Sequence, residues 1–213
     1  MNKNVIQRRF FYLQGQLEQI SDFLNRAKNM EFAGSYTDYQ DMTREAVRLM
    51  EKTTCGMREL ILNSTYIKKP EVMNEIAEIH GITIEYADGW YKIVMPALLP
   101  HKRPNQSCAY ILDPLRHAIR KFEREQYILR LRECVICFRH IYSKELPERA
   151  WRDHDNIEVK KVLDVIADKL IVDDTGHWCS NFQTSASGEN SATEIYVMPS
   201  EKLPEWLGKY VIF

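Results

Sequence analysis

No stretch of this 213-residue chain approaches the roughly 20 consecutive apolar residues that a membrane-spanning helix requires. The basic start, Met1 to Arg9, does not lead into an apolar core either, because Gln14, Gln16, Glu18 and Gln19 interrupt the next ten residues, so no secretory signal peptide is read. Charge of one sign is also missing. With 29 Lys+Arg against 30 Asp+Glu there is no whole-chain basic signal for nucleic acid and no acidic tail, although a near-zero sum can hide opposed local patches. Cysteine is sparse and odd in number: Cys55, Cys108, Cys134, Cys137 and Cys179 are scattered, which fits reduced thiols rather than a disulfide framework. Only 8 glycines and 8 prolines are present and no useful repeat is found, excluding collagen-like and low-complexity classes. What remains is a chain 45% hydrophobic and 28% charged, able to bury a sizeable core as one large domain or as an ordinary domain plus an extension. It reads as a soluble, cytoplasmic protein with no membrane partner.

The hydrophobic period changes along the chain. Ile6, Phe10, Leu13, Leu17, Ile20, Leu24 and Ala27 alternate spacings of four and three, one stripe of a helix. After a break at Gly34 and Ser35, Thr37 with Gln40 has capping-box spacing, and Tyr39, Met42, Ala46, Leu49, Thr53, Met57 and Leu60 repeat the pattern. An antiparallel helical hairpin over residues 1–68 is expected, packing on its own body or serving oligomerisation or a protein partner. Residues 69–213 are expected to form an α+β domain. Pro70 to His80 reads as a third helix stopped by Gly81. Ile82, Ile84 and Tyr86 then alternate with polar residues, Asp88-Gly89 signals a two-residue turn, and Trp90 to Met95 forms the second strand of a hairpin. A loop runs from Pro96 to Asn105. Beyond it come a helix from Ala109 to Leu129, a strand from Glu133 to Tyr142, and a helix from Asn156 to Lys169. A short strand at Leu170 to Val172, a Ser/Gly-rich loop from Gln183 to Ser191 and a strand from Thr193 to Met198 complete the order.

The chemically loaded segment is Trp151 to Asp164, with Ile171 to Gly176 after it. Asp153 and Asp155 stand two apart, which in extended chain points both carboxylates to one side. Asp173 and Asp174 close a short strand after one helix, and a strand ending beside that helix's N-terminus would bring them to the first pair. Hard oxygen ligands gathered in this way suit Mg²⁺ or Mn²⁺, and without a cation they repel one another. The same residues also suit plainer roles, with Asp155 as a helix cap and Asp173-Asp174-Thr175-Gly176 as a polar turn.

In its order of residues, Asp153-His-Asp155-Asn156, a helix carrying Lys160 and Leu163-Asp164, then Asp173-Asp174, the segment resembles the signature of RusA-like Holliday-junction endonucleases. The similarity covers about residues 82–199, including the hairpin ending Ile93-Val-Met-Pro96 and the Pro100-His-Lys-Arg103 loop, and leaves the N-terminal helices as an addition. The resemblance implies a mixed or antiparallel sheet with packed helices and a homodimeric endonuclease of bacterial or mobile-element origin. Such an enzyme would depend on Mg²⁺ or Mn²⁺ and cut branched DNA. It also implies Asp153, Asp155, Asp173 and Asp174 as metal ligands, and Asp153, Asp155, Lys160 and Asp174 as catalytic residues. Lys160 lies one helical position later than the pattern, which leaves Lys161 as an alternative, and the lysine usual after the acidic pair is missing from Gly176 to Ser185.

Between His101 and Arg152 there are twelve basic and six acidic residues, the strongest local basic excess. Lys102, Arg103, Arg116, Arg120, Arg124 and Arg152 are the expected DNA contacts, although several acids lie within helical reach of the basic side chains. Cys134-x-x-Cys137 with His140, extended by His177 and Cys179, has the look of a metal run. On a strand, however, Cys134 and Cys137 point to opposite faces, whereas zinc sites need converging thiolates. His154 between the two acids reads as a substrate contact or a supporting residue. The rival to a nuclease is a catalytically silent nucleic-acid-binding or host-defence-modulating protein on the same scaffold, its helical hairpin forming the interface.

Overall fold

A computed structural model describes residues 3–32, 36–64, 68–103 and 108–211; the expected break at Gly34 and Ser35 and the end of the Pro96 to Asn105 loop lie outside them. The fold is α+β, with two compact units, residues 1–72 and 73–213.

The first unit is an antiparallel pair, α1 (Lys3–Phe32) and α2 (Tyr36–Ser64). Leu13 faces Gly56, Gln16 faces Thr53 and Arg9 reaches Glu59, so partner numbers fall on one helix as they rise on the other. The seam buries Leu13, Ile20 and Ala27 of α1 against Ala46 and Leu60 of α2. A Cβ at Gly56 would lie 2.8 Å from Leu13 Cδ2, so the glycine permits a close approach. Thr53 Oγ1 donates to Leu49 O at 2.7 Å and also contacts Gln16 Oε1 at 3.2 Å, satisfying the polar groups that the seam buries. Tyr36 begins α2, so Thr37 sits inside its first turn rather than capping it.

α3 (Lys69–Ile79) runs across the boundary at Val72 and leads, in the second unit, into β1 (Thr83–Ala87) and β2 (Trp90–Met95). Asp88 and Gly89 join the two strands with φ of 58° and 84°, the pair of positive values that a type I′ turn demands. Then come α4 (Ala109–Glu125), β3 (Cys134–Ser143), α5 (Lys160–Leu170), β4 (Cys179–Gly188), β5 (Ala192–Pro199) and α6 (Leu203–Tyr210). The five strands form one mixed sheet in the order β1-β2-β5-β3-β4, antiparallel except for β3 with β4. Alternation along the strands supplies two cores. Ile136 and Phe138 of β3 with Ile195 and Val197 of β5 face α4 and α5, while Val135, Cys137, Tyr196 and Met198 face Trp206 of α6. No helix among the described residues is long and apolar enough to cross a membrane.

Several expected boundaries move, each for a tertiary reason. The Gln183 to Ser191 stretch, expected as a loop, supplies most of β4's second half: an edge strand paired on one side only needs few apolar residues, and β3 holds it through a ten-residue register. Helix α4 stops at Glu125, short of Leu129, because Tyr91 Oη takes the Leu129 N–H at 2.8 Å and donates to its carbonyl at 3.0 Å. Helix α5 begins at Lys160 rather than Asn156, since the preceding backbone pairs with another loop: Lys102 N–H donates to Asn156 O and Glu158 N–H to Pro100 O. The expected strand Leu170 to Val172 shrinks to one bridge between Leu131 and Ile171. Helix α6 has no counterpart in the expected order.

Candidate functional site

The parallel pair β3 and β4 requires a crossover, and α5 provides it. Residues 151–158 therefore cross the C-terminal ends of both strands before the chain returns. Trp151 stacks on Tyr142 with ring centroids 4.8 Å apart, and the Arg152 N–H donates to Tyr142 Oη at 3.1 Å. The Arg152 guanidinium turns inward and donates to the Leu99 carbonyl; burial lowers its pKa from the ordinary arginine value. The segment delivers His154 to the sheet, where its Nε2 lies 3.0 Å from Ser185 Oγ and its ring 5.8 Å from that of His140.

His140 is fully buried, with Nε2 donating to Gln183 Oε1 at 3.3 Å and Nδ1 finding no hydrogen-bond partner among the described residues. Burial pushes its pKa down to about 4; the contact with Gln183 opposes the shift, while His154 and Arg152 add to it. It is therefore neutral at pH 7. The reading of His140 as part of a metal run does not describe this environment. Nothing in the sequence marks Gln183 and Ser185, because their stretch lacks apolar alternation. The signal that could have found them is the parallel register itself, which pairs His140 with Ser185 and Phe138 with Gln183.

Asp153 and Asp155 are exposed on either side of His154, at a short 3-10 turn, His154–Asn156. Neither forms an ion pair among the described residues. Asp173 is used locally, its Oδ1 accepting the Thr175 N–H at 2.9 Å, the polar-turn role that its sequence also allowed. Asp174 is exposed near the start of β4, where its charge opposes ionisation of the Cys179 thiol. Ser185 lies six residues further along β4, about 20 Å at the rise of an extended strand. The two acid pairs thus stand well apart along β4, one before its start and the other beside its second half. For Asp173 and Asp174 to return, the strand after the helix would have had to retrace α5, about 16 Å for eleven residues. The bridge at Ile171 is far too short for that. Among the described residues no group of three His, Cys, Asp or Glu side chains is placed to hold a metal ion. Within one chain these four carboxylates do not fit a single Mg²⁺ or Mn²⁺.

Lys160 is exposed and paired with Asp164 at 3.6 Å, and Lys161 contacts Glu158 at 3.2 Å, so each is held by an acid three or four residues away. Of the expected DNA contacts, Arg116 pairs with Asp113 at 3.1 Å and Arg152 faces the protein. Lys102, Arg120 and Arg124 are exposed and Arg103 is half-buried, with no ion pair to any of the four among the described residues. The Lys102–Arg103 loop is fastened to the site: His101 bridges Ile157, and Lys102 N–H lies 2.7 Å from Asn156 O. Cys134 and Cys137 enter opposite cores, as strand alternation predicts. Cys134 instead neighbours Cys179 across the parallel pair, and a hydrogen bond between the thiols pulls the Cys179 pKa down and pushes that of Cys134 up.

Residues 2–211 match a family model described as a family of unknown function, DUF6100. The chain belongs to this family. The match runs through α1 and α2 as well as the sheet. No curated protein matches the sequence.

Proposed function

We propose that this chain is a nucleic-acid-binding protein with a RusA-like order of elements, which grips phosphates without a four-carboxylate cutting centre. The observation that carries the reading is the separation of Asp153 and Asp155 from Asp173 and Asp174 by about six residues of β4, roughly 20 Å. Binding is assigned to Lys102 and Arg103, on a loop anchored beside His154, and to Arg120 and Arg124 on the solvent face of α4. Basic side chains without internal acid partners are free to release counterions on meeting phosphate. The binding unit is a homodimer, and the five free cysteines favour the cytoplasm as its setting. Junction endonuclease activity, which the resemblance implies, is the competing reading.

Fluorescence anisotropy on labelled four-way junction, flap, duplex and single-stranded DNA tests the binding claim. Affinity should fall as salt rises, with a log–log slope reduced by about 0.9 for each phosphate contact removed by Lys102→Ala, Arg103→Ala, Arg120→Ala or Arg124→Ala. Absence of binding to all four substrates, or a slope indifferent to these substitutions, overturns it. Incubation of the same DNAs with Mg²⁺ or Mn²⁺ should leave them intact. Cleavage that Asp155→Asn abolishes would establish the endonuclease instead.

A further inference from the structure

The hairpin of α1 and α2 is asymmetric about its seam. On one side it carries the cross-helix ion pair of Arg9 and Glu59, with Glu45 and Lys52 nearby in the helical projection, and exposed Val5 and Tyr12, an apolar step that Gln19 does not continue. On the other side Phe10, Leu17 and Leu24 of α1 and Met50 and Met57 of α2 are 45–54% exposed. All five lie roughly 70° from the seam residues in the same rotational sense, and in antiparallel helices equal senses open on the same side. Beside them on this face lie Gln14 and Ser21 on α1 and Thr43 and Thr54 on α2, so its middle holds no charged residue in a chain that is 28% charged.

We propose that this face is where two copies of the chain pair, hairpin against hairpin, as a four-helix bundle. The proposal gives the homodimer of the proposed binding unit its surface and rests on that part of the functional reading alone. Spacing selects the occupant. Phe10, Leu17 and Leu24 recur every seven residues, as do Met50 and Met57, the repeat that keeps an apolar seam facing another helix along its whole length. A two-helix face with that repeat is half of a four-helix core, and a second copy supplies an identical half by two-fold symmetry. Area agrees. Five side chains about half exposed offer roughly 500 Å² per copy, or roughly 1,000 Å² for the pair, and the polar positions between them bring the total into the range of specific interfaces. Loss of charge from the centre of a patch is also the compositional mark of an interface core.

Sedimentation and light scattering on the full chain test this. The native protein should run at twice the 25.2 kDa chain mass at micromolar concentration. Leu17→Glu with Met50→Glu, at exposed positions where glutamate suits a helix, should run at the single-chain mass with unchanged helical circular dichroism. A Leu17→Lys, Met50→Lys partner mixed with it should restore the double mass. If helicity falls, the milder Leu17→Gln, Met50→Gln pair carries the same comparison. A native protein that stays monomeric to about a hundred times the concentration used overturns the proposal. So does a dimer indifferent to both pairs of substitutions, or a native monomer destabilised by them, which would mean that the chain covers the face itself. Loss of DNA binding in a chain that still dimerises would sink only the nucleic-acid reading.

Discussion

Acidification from pH 7.5 to 5 probes the buried imidazole at the centre of the site. His140 is fully buried with a pKa near 4, against 6.5 for the free side chain. Arg152 and His154 are the charged or titratable neighbours that act on it, Gln183 accepts its one hydrogen bond, and it has no carboxylate partner among the described residues. Because the folded pKa is the lower one, the unfolded chain takes up the proton first. The stability associated with the neutral ring is therefore complete above about pH 6.5, declines between about 6.5 and 4, and is gone below. The full shift corresponds to about 3 kcal/mol, of which about 2 kcal/mol is lost by pH 5. To isolate this contribution the comparison is with His140→Gln, which keeps a polar side chain at the position and cannot protonate. Urea unfolding at half-unit pH steps should show the native protein losing about 2 kcal/mol more than the variant between pH 7.5 and 5. Parallel pH profiles would refute the assignment of a neutral, desolvated His140.

Four substitutions test the packing and the turn geometry of the second unit. Trp206→Ala removes the fully buried tryptophan that α6 sends into its core and should cost about 3–5 kcal/mol in urea unfolding; a loss below about 1 kcal/mol would mean that α6 does not seal that face. A Cβ at Gly188 would lie 2.5 Å from Ile141 Cγ2, so Gly188→Ala should cost about 1–3 kcal/mol and speed amide exchange at the end of β4. Gly176→Ala, which meets nothing within 4 Å, should stay within about 0.5 kcal/mol of the native protein, and equal effects at the two positions would contradict the steric argument. Gly89→Ala forces an alanine to φ of 84° in the type I′ turn and should cost about 1–2 kcal/mol, read as a lower thermal midpoint; an unchanged midpoint would exclude that turn.

What was legible in the sequence is local. The three-four spacing of Leu13, Ile20 and Ala27, the Asp88-Gly89 turn and the alternation that sends Cys134 and Cys137 to opposite faces each arise from a periodicity or a single turn, and each is present in the fold. The helical stripe of α1 divides in the fold, because Phe10, Leu17 and Leu24 belong to a second, exposed face that hydrophobicity alone does not separate from the first. β4 was hidden for the opposite reason: Ser180, Asn181, Gln183, Thr184 and Ser185 have no apolar alternation, and only hydrogen bonds to β3, more than forty residues away, make them a strand.

The candidate site divides along the same line. The amino-acid order by itself determined that two acid pairs, a helix and a basic loop would occur in sequence, and that the chain would be α+β. Only the tertiary structure decided how far apart the acids stand, because running β4 parallel to β3 places the end of α5 at the end of the sheet opposite its start. It also decided that His140, Gln183 and Ser185 meet His154, through a register between strands that no local pattern encodes.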